Sequence, residues 1–425
     1  MKITAKIPAG CGQKKRDTRA KMQTFMKNEL CLSSGIGRSA WLDDFSNLGS
    51  KPRMIFASKN SPVRQILVIN MSHIGGVLLM TPALELLRKL YPAAEISALV
   101  RDDAGMVLQG NPLVAHIYTD GKITSNQKMH LRTKASFRQR LKQIPRGLKL
   151  LTALRRKRFD LAVHFTDSDR GAFCTFLSGA RQRVGWRARS GFWTKNCFYT
   201  HLCPHPEKPE HKVLENFHMV CHLATLPTEA GLNPGPLAFN PVAEDLSWAQ
   251  TQWQTWDSGN NLRVVVHPVS RVLYKCWEPE KWTALIEKIQ NDFNATVLVT
   301  SGPEAKEIKI GAQIANACQR KIHARLGDLS LGQLAALIRH ADLFLGVDTA
   351  PMHIAAAVGA RVIAIFGPSN DEVWSPWGAG HRVIRRPCPC LKSGVRRCQE
   401  YHGMDCLKEL TVEEVYCAAK DVLQK

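Results

Sequence analysis

Short apolar runs alternate with segments of helical spacing through most of this chain. The first run covers residues 64–70 and is rich in isoleucine, leucine and valine. The turn His73–Gly76 follows it, and apolar side chains then recur at helical spacing from Val77 to Leu90. Short apolar runs bounded by turns predict buried strands, whereas a spacing of three or four residues predicts helices. The first ordered segment is therefore predicted to be a strand, a turn and a helix.

The same order of strands and helices continues and then starts again in the second half. Further strands are predicted at residues 95–100, 114–118, 160–165, 263–267, 295–300, 342–346 and 361–366. Further helices are predicted at residues 104–109, 278–290, 304–318, 331–339, 351–358 and 411–423. Strands that alternate with helices favour parallel sheets covered on both faces. We therefore predict an α/β protein with two Rossmann-like parallel-sheet domains facing an interdomain cleft, where such sheets bind ligands.

Changes in this pattern set the predicted domain boundaries. Residues 1–60 show no sustained period and are predicted to be a poorly ordered basic extension. The first Rossmann-like domain is predicted at residues 61–240, and the second at residues 262–425 with a helix at its C-terminus. Residues 241–261 end a stretch rich in Pro, Gly and Asn and are predicted to be a linker.

Positive charge is concentrated in two segments. The chain has 425 residues, with 58 Lys and Arg against 36 Asp and Glu, and a formal charge of +22. Residues 1–60 contribute +8 and residues 121–158 contribute +13, the latter without a single acid. The rest is close to neutral, and a hydrophobic fraction of 44% excludes a chain that is disordered throughout.

The basic insertion 121–158 predicts an amphipathic helix. Its apolar residues at helical spacing are Leu141, Ile144, Leu148, Leu151 and Leu154. We expect such a helix to bind an anionic membrane surface, with a solvated helix face as the alternative. A nucleic-acid partner is not predicted, because Phe137 is the one aromatic side chain in the insertion on which bases could stack.

Membrane spans and secretion are not predicted. No apolar run reaches the ~18 residues that a spanning helix needs, and the basic N-terminus lacks the apolar region of a secretory signal. An odd number of cysteines, 13, in a chain without such a signal favours reduced thiols in the cytoplasm.

Polar residues follow a predicted strand of the second domain where ligands bind in such sheets. After the strand at 342–346, Thr349 can cap a helix that has Pro351 in its first turn, with Asp348 before it and His353 after it. Free amides at such a helix start suit a phosphate, and an ordinary capped helix is the alternative.

Loops after two other strands add cations and an acid. Ser270, Arg271 and Lys275 could bind an anionic group, the alternative being a solvated basic loop. Glu304 could accept hydrogen bonds from ribose hydroxyls, or could simply favour the positive end of the next helix. Neither domain begins with the Gly-x-Gly-x-x-Gly turn of a dinucleotide-dependent oxidoreductase.

These loops and their spacing resemble glycosyltransferase family 9, the ADP-heptose:lipopolysaccharide heptosyltransferases. The matching segments are His267–Pro268, Lys275–Trp277, Ser301–Glu304, Gly346–His353, Ile365–Ser369, Trp374–Trp377 and, in the first half, His73–Pro82. The resemblance covers residues 64–425, and Tyr274–Trp277 is similar to the heptosyltransferase III type, which adds the third inner-core heptose.

The resemblance implies a GT-B fold and an inverting transfer of heptose from ADP-heptose to the inner core of lipopolysaccharide, without cofactor or essential metal. It also implies a peripheral position on the cytoplasmic face of the inner membrane. The implied donor-binding residues are Ser270, Lys275, Glu304, Asp348, Thr349 and His353. Lys275 and Asp348 are predicted to be catalytic on this resemblance, and the cation of Lys275, with the backbone amides from Thr349 to Met352, suits the negative charge that develops on the departing diphosphate.

The acceptor-side turn departs from the family. The family has Gly-Asp-Val, with the Asp as its base, where Gly75–Val77 reads Gly-Gly-Val. The predicted substitute base is His73 in the same turn, or else Asp102 or Asp103 after the second strand. For His73, a histidine that only bonds the backbone is the alternative. The alternative function is an impaired GT-B protein that binds nucleotide-sugar or lipopolysaccharide without turnover. Gly76→Asp is expected to raise turnover.

Four cysteines form the last candidate site: Cys388, Cys390, Cys398 and Cys406. Four thiols can bind zinc, but Cys-x-Cys is not the Cys-x-x-Cys of structural zinc sites. Because the family carries cysteines here, the resemblance explains them without a metal. No metal site is predicted, and zinc remains the open alternative.

Overall fold

A computed structural model of the chain describes residues 62–119, 137–192, 194–224, 226, 233–256, 261–387 and 405–424. These residues belong to one compact unit, Arg53–Lys425. The predicted extension 1–60 and the first part of the basic insertion, residues 121–136, lie outside the described residues.

The first half folds around a parallel sheet of six strands in the order β3-β2-β1-β4-β5-β6. The strands are β1 (Gln65–Asn70), β2 (Glu95–Val100), β3 (Val114–Thr119), β4 (Leu161–His164), β5 (Gln182–Trp186) and β6 (His201–Cys203). The helices are α1 (Ile74–Leu78), α2 (Thr81–Leu90), α3 (Phe137–Lys157), α4 (Asp169–Leu177) and α5 (Lys212–Leu223), with 3-10 turns at Asp102–Leu108 and Lys195–Phe198.

The second half repeats this plan, with the strand order β12-β11-β10-β7-β8-β9, again all parallel. The strands are β7 (Arg263–His267), β8 (Thr296–Ser301), β9 (His323–Leu326), β10 (Leu343–Val347), β11 (Val362–Phe366) and β12 (Arg382–Arg385). The helices are α6 (Ala243–Trp256), α7 (Pro279–Phe293), α8 (Ala305–Ala317), α9 (Leu331–Arg339), α10 (Ala350–Ala357), α11 (Asp371–Trp374), α12 (Asp405–Lys408) and α13 (Val412–Leu423).

Central strands are apolar on both faces because helices cover both faces. In β7, Val264 and Val266 pack in one cluster with residues of α7 and α13. Val265 points to the other face and packs in a second cluster with residues of α6 and α9. Alternate side chains of the strand therefore pack against helices on opposite faces of the sheet, as the continuous apolar runs predicted.

Most of residues 241–261, which were predicted to be a linker, form a helix that packs on the second sheet. Residues Ala243–Trp256 form α6, and the indole of Trp253 is buried and donates to the carbonyl of Leu337 at 3.0 Å. Leu246, Ala249 and Trp253 recur at helical spacing and bring this helix onto the second sheet. Flanking Pro, Gly and Asn residues obscured that spacing.

Other elements differ in extent. The helix predicted from Val77 to Leu90 is two helices, α1 and α2, because Pro82 occupies the first turn of α2. Strands β5, β6, β9 and β12 were not predicted, since they are short and have polar or exposed positions, as edge strands and their neighbours do.

The basic insertion contains the predicted helix but not one free apolar face. Within α3, Leu154 is buried and packs against Phe159 and Ala162 of the first half, whereas Leu148 is 58% exposed. The C-terminal end of the stripe therefore serves the core. Among the described residues, no helix has the length and apolar character to cross a membrane.

Candidate active site

The predicted site residues meet where the strand order of each sheet reverses, at β1 in the first half and at β7 and β10 in the second. Loops that leave the carboxyl ends of such strands open a crevice in which α/β proteins bind ligands. His73 ends the turn after β1 at the N-cap of α1, and Gly75 and Gly76, predicted in this turn, lie in the first turn of α1. The loops after β7, β8 and β10 carry the remaining residues: Ser270, Lys275, Glu304, Asp348, Thr349 and His353.

Buried Asn70 closes the turn after β1. Its Nδ2 donates to the carbonyl of Gly76 at 3.1 Å, and its Oδ1 accepts from the amide of Ser72 at 3.0 Å and from the Ser72 hydroxyl. A Cβ placed on Gly76 would lie 2.7 Å from the Cβ of Ser72. The turn thus has Ser72 in the space that a side chain at position 76 would enter.

Gly75 allows the two halves of the site to meet. A Cβ on Gly75 would lie 2.8 Å from Cδ2 of His353, which belongs to α10 of the second half. His353 is 3% exposed, so its ring is enclosed between its own helix and this turn. Glycine is required here for close approach.

His73 lies between residues of both halves. Its Nδ1 is 3.3 Å from Nη2 of Arg271 and 3.6 Å from Oδ2 of Asp103. Arg101 holds Asp103 through two hydrogen bonds, of 2.9 and 3.0 Å. Burial would raise the pKa of Asp103, but the nearby His73 ring and the two hydrogen bonds from Arg101 outweigh burial and hold this pKa well below its usual range. The alternative of a histidine that only bonds the backbone does not describe this side chain.

Arg271 sets the tautomer of His73. A guanidinium can only donate, so Nδ1 of His73 accepts and a neutral ring carries its proton on Nε2. When Arg271 turns to another anion, Nδ1–H can face Asp103, and Nε2 then carries the free lone pair. The sequence identified Arg271 as a loop cation but not this contact across the cleft.

An ion pair joins the loops after β7 and β10. Nζ of Lys275 lies 2.5 Å from Oδ2 of Asp348, whose side chain is 8% exposed. Ser270 is buried in the same loop, where its amide donates to Sγ of Cys276 at 3.2 Å and its Oγ accepts from the amide of Val272 at 3.3 Å. Burial raises the pKa of Cys276 to about 11, so the thiol that accepts from the Ser270 amide is neutral at ordinary pH.

The start of α10 has Thr349 at its N-cap, but the Thr349 side chain makes no capping hydrogen bond. Pro351 has no amide proton, and the amide of Met352 donates to the Thr349 carbonyl at 3.1 Å. The donors that this helix start can offer a ligand therefore lie before Pro351.

His353 is a neutral polar group held inside the site. Burial lowers its pKa to about 4, against the nearby Asp348, which raises it, and with smaller lowering by His211 and Lys275. Its Nδ1 is buried and has no hydrogen-bond partner in the part of the chain that the structure describes. A buried polar atom without a partner is costly and suits a site that receives a polar ligand.

Glu304 lies at the N-cap of α8. Its neighbour Glu307, in the first turn of the helix, was not predicted to belong to the site. Glu307 is 3% exposed, and its Oε2 has no partner among the described residues. Burial, and then Glu304, raise its pKa above the ordinary value. A Cβ on Gly302 would lie 2.8 Å from that oxygen. An acid in a first helical turn is an ordinary feature, so the pattern alone gave no signal.

Three of the four candidate zinc ligands, Cys388, Cys390 and Cys398, lie outside the described residues. Cys406 is buried in α12 and packs in the core of the second half. Within the described ranges no group of three or more His, Cys, Asp or Glu side chains is placed to hold a metal ion. Zinc stays an open alternative.

The geometry of the site does not by itself assign the chain to a protein family, and a family model does so. The model for glycosyltransferase family 9 (heptosyltransferase) matches residues 147–403, more than half of the chain. The chain belongs to this family. Membership confirms the resemblance drawn from the loops and makes the protein a glycosyltransferase.

Relatives and known structures agree. The chain is 32% identical over 309 residues to a lipopolysaccharide heptosyltransferase 3 of Escherichia coli, which covers 71% of this chain and 83% of that relative. A glycosyl transferase of family 9 from Veillonella parvula shares its fold with a TM-score of 0.69 at 19% identity, covering 85% of this chain and 98% of the other. The Escherichia coli ADP-heptose lipopolysaccharide heptosyltransferase II gives a TM-score of 0.64 at 18% identity, covering 85% and 98%. The GT-B fold predicted from the sequence is confirmed.

Proposed function

We propose that this family 9 enzyme is an inverting transferase that moves heptose from ADP-heptose to the inner core of lipopolysaccharide. The observation that carries the proposal is the Lys275–Asp348 pair, at 2.5 Å, in loops of the second half, together with Arg271 of the same loop as Lys275, whose Nη2 lies 3.3 Å from Nδ1 of His73. A cation at the donor loops and a base at the opposite turn are the two groups that such a transfer requires.

The donor is proposed to bind along the loops after β7, β8 and β10. Lys275 and the hydroxyl of Ser270 would contact the diphosphate, and Glu304 would accept from the ribose. Asp348 fixes the Lys275 ammonium at 2.5 Å, so the cation is already placed before charge develops on the departing ADP. The amides before Pro351 and Nδ1 of His353 would complete the phosphate and sugar contacts. The proposal requires no metal and no cofactor.

His73 is the proposed base, with Asp103 as its orienting partner. Nε2 of His73 would take the proton from the acceptor hydroxyl while the hydroxyl oxygen bonds to the anomeric carbon, opposite the diphosphate. The bond from that carbon to the diphosphate breaks as ADP leaves, so the configuration inverts. This step needs Arg271 away from Nδ1, and the arriving diphosphate supplies an anion to which the guanidinium can turn.

A second candidate function follows from Gly76. A family 9 protein without the usual carboxylate, and with Ser72 packed where it would begin, could bind nucleotide-sugar or lipopolysaccharide without turnover. The His73–Asp103 arrangement supports an active enzyme over this alternative, because the proposed base after β1 has a carboxylate after β2 within 3.6 Å that could orient it.

The proposed place of action is the cytoplasmic face of the inner membrane, with the chain attached peripherally. The lipopolysaccharide acceptor lies in a membrane, and the cations of residues 121–158 would face its anionic surface. Nucleic acid is not a proposed partner.

Two measurements on the same preparation test the function. Calorimetric titration with ADP measures donor binding, and release of ADP from ADP-heptose in the presence of truncated core measures turnover. We expect binding and turnover in the wild type, and binding with turnover reduced at least a hundredfold in His73→Asn. Binding without turnover in the wild type would favour the second candidate function. Lys309→Met, at an exposed lysine of α8, is the matched control and should change neither.

A further inference from the structure

One helix of the first half exposes a large apolar face. In α4, Phe173 is 46% exposed, Phe176 is 45% exposed and Leu177 is 36% exposed. These positions are three and four residues apart, so they lie on one side of the helix. We call Phe173, Phe176 and Leu177 the aromatic face. Apolar residues that are exposed singly need no explanation, but a contiguous group marks an interaction surface.

Further aromatic rings hold this face in place. Phe173 stacks on Phe192 with ring centres 5.0 Å apart and meets Phe198 edge-on at 5.1 Å. Phe176 stacks on Phe198 at 4.8 Å. Phe198 belongs to the 3-10 turn that leads into β6. The exposed rings are therefore the outer layer of a packed cluster.

Cations border the aromatic face. The guanidinium of Arg183 lies 5.7 Å from the centre of the Phe176 ring, and Nε of Arg155 donates to the carbonyl of Leu177 at 3.1 Å. Arg155 belongs to α3, which has eight Lys and Arg residues and no acid. On the same helix Leu148 is exposed as well, at 58%. The apolar surface thus adjoins the most basic segment that the structure describes.

We propose that the aromatic face, together with α3, docks the chain onto an anionic lipid bilayer. Exposed aromatic side chains enter the headgroup region of a bilayer while adjacent Lys and Arg pair with acidic headgroups. Asp169 begins the same helix but pairs with Lys195 at 3.1 Å, so the cations of α3 and Arg183 leave this surface with net positive charge, which suits an anionic bilayer better than a protein partner of ordinary composition. The inference rests on the proposed function only in that its acceptor is a membrane lipid.

The sequence alone pointed to a different surface. It predicted that the leucine stripe of residues 121–158 meets the membrane, but Leu154 packs into the core. In the structure, the apolar part of the membrane contact is provided mainly by α4, and the insertion provides the charge. This division explains how α3 can contribute both to the core and to docking.

The test is co-sedimentation with vesicles of phosphatidylethanolamine and phosphatidylglycerol, compared with phosphatidylcholine alone. We expect the wild type to bind only the anionic vesicles. Phe173→Ser/Phe176→Ser should lower its partition coefficient at least tenfold, because two half-exposed rings no longer enter the bilayer. Met106→Ser/Val242→Ser, at side chains that are 44% and 49% exposed elsewhere, is the matched control and should bind as the wild type does.

A second variant covers the case in which the serine variant fails to fold. Lys149→Glu/Arg156→Glu reverses two exposed charges on α3 and leaves the aromatic cluster intact. It should also lose at least tenfold in partition, whereas Lys208→Glu/Lys309→Glu should not. Folding is checked by thermal melting and by ADP binding.

Three outcomes would overturn the proposal: equal binding to neutral vesicles, unchanged binding of both α3 and aromatic-face variants, or a wild-type dimer that Phe173→Ser/Phe176→Ser converts to monomer. The vesicle assay contains neither donor nor acceptor. Turnover on a water-soluble core fragment without lipid is measured in parallel. A wild type that binds the anionic vesicles but shows no turnover would count against the proposed function alone. A wild type that turns over the soluble fragment but does not bind the vesicles would count against the docking surface alone.

Discussion

Substitution of Gly76 by Asp tests how the acceptor-side turn is built. From the sequence, Gly76→Asp restores the family's carboxylate and should raise turnover. The structure predicts instead that the single variant Gly76→Asp loses stability and gains no turnover, because Ser72 occupies the space that the new side chain would enter. A Cβ at position 76 would lie 2.7 Å from the Cβ of Ser72, whereas carbon atoms in ordinary contact are about 3.5–4.0 Å apart. The turn must therefore open by about 1 Å, and overpacking of this kind costs about 1–3 kcal/mol.

The double variant Ser72→Gly/Gly76→Asp removes the crowding and keeps the carboxylate. The amide of residue 72 can still donate to Asn70, so the turn remains closed. We expect the double variant to regain the stability that Gly76→Asp loses. Its turnover should depend less on His73, because a second base is then present at the turn.

The assays are urea unfolding and ADP release, with Ser72→Gly as the control. In the wild-type background His73→Asn should cost at least a hundredfold in turnover, and in the double variant less than tenfold. The reasoning would be refuted if Gly76→Asp alone proved as stable as the wild type and more active.

Three further predictions concern the site and the core. Lys275→Met should lower turnover about a hundredfold and should also lower the free energy of unfolding, because it leaves the buried Asp348 carboxylate unpaired. Lys275→Met/Asp348→Asn should regain that stability but not the turnover. Turnover of Lys275→Met equal to that of the wild type would exclude the ammonium from the leaving-group contact. Asp103→Asn should lower turnover at least tenfold and leave ADP affinity unchanged, since the partners of Asp103 are His73 and Arg101 of the first half; a matching loss of ADP affinity would point to a structural role. Between pH 7 and pH 8 these groups leave stability unchanged, and stability should fall from pH 6.5 towards pH 4. Burial lowers the pKa of three histidines below the value of about 6.5 that they have in the unfolded chain, so the unfolded chain binds more protons in this range. By pH 5 each of these histidines should cost about 2 kcal/mol in free energy of unfolding, and urea unfolding that gives equal values at pH 7.5 and 5 would contradict this. The folded-state pKa is about 3 for His164 and about 4 for His267 and His353.

The sequence predicted the parts of the fold that rest on long apolar runs. Strands such as β1 and β10 are buried on both faces, and their composition reflects this. By contrast, β9 and β12 lie at the edges of the second sheet, where half-exposed residues give no continuous run. Helix α6 was not predicted because turn-forming residues flank it and obscure the helical spacing of Leu246, Ala249 and Trp253.

The site was predictable to the extent that its residues follow strand ends. The pairing of Lys275 with Asp348 joins two loops 73 residues apart, and parallel-sheet topology explains why they meet. The contact between His73 and Arg271 was not predictable, because it crosses between the halves of the molecule. The crowding at Gly76 depends on the position of one hydroxyl-bearing side chain, which no spacing rule gives.

The central claim is that this chain turns over its donor with His73 as the base. The most direct measurement is ADP release from ADP-heptose with truncated core, for the wild type and His73→Asn, each with its ADP affinity measured. The account predicts turnover in the wild type, a loss of at least a hundredfold in His73→Asn, and the same ADP affinity in both. Wild-type protein that binds ADP but releases none from ADP-heptose, or a His73→Asn variant with full turnover, would contradict it.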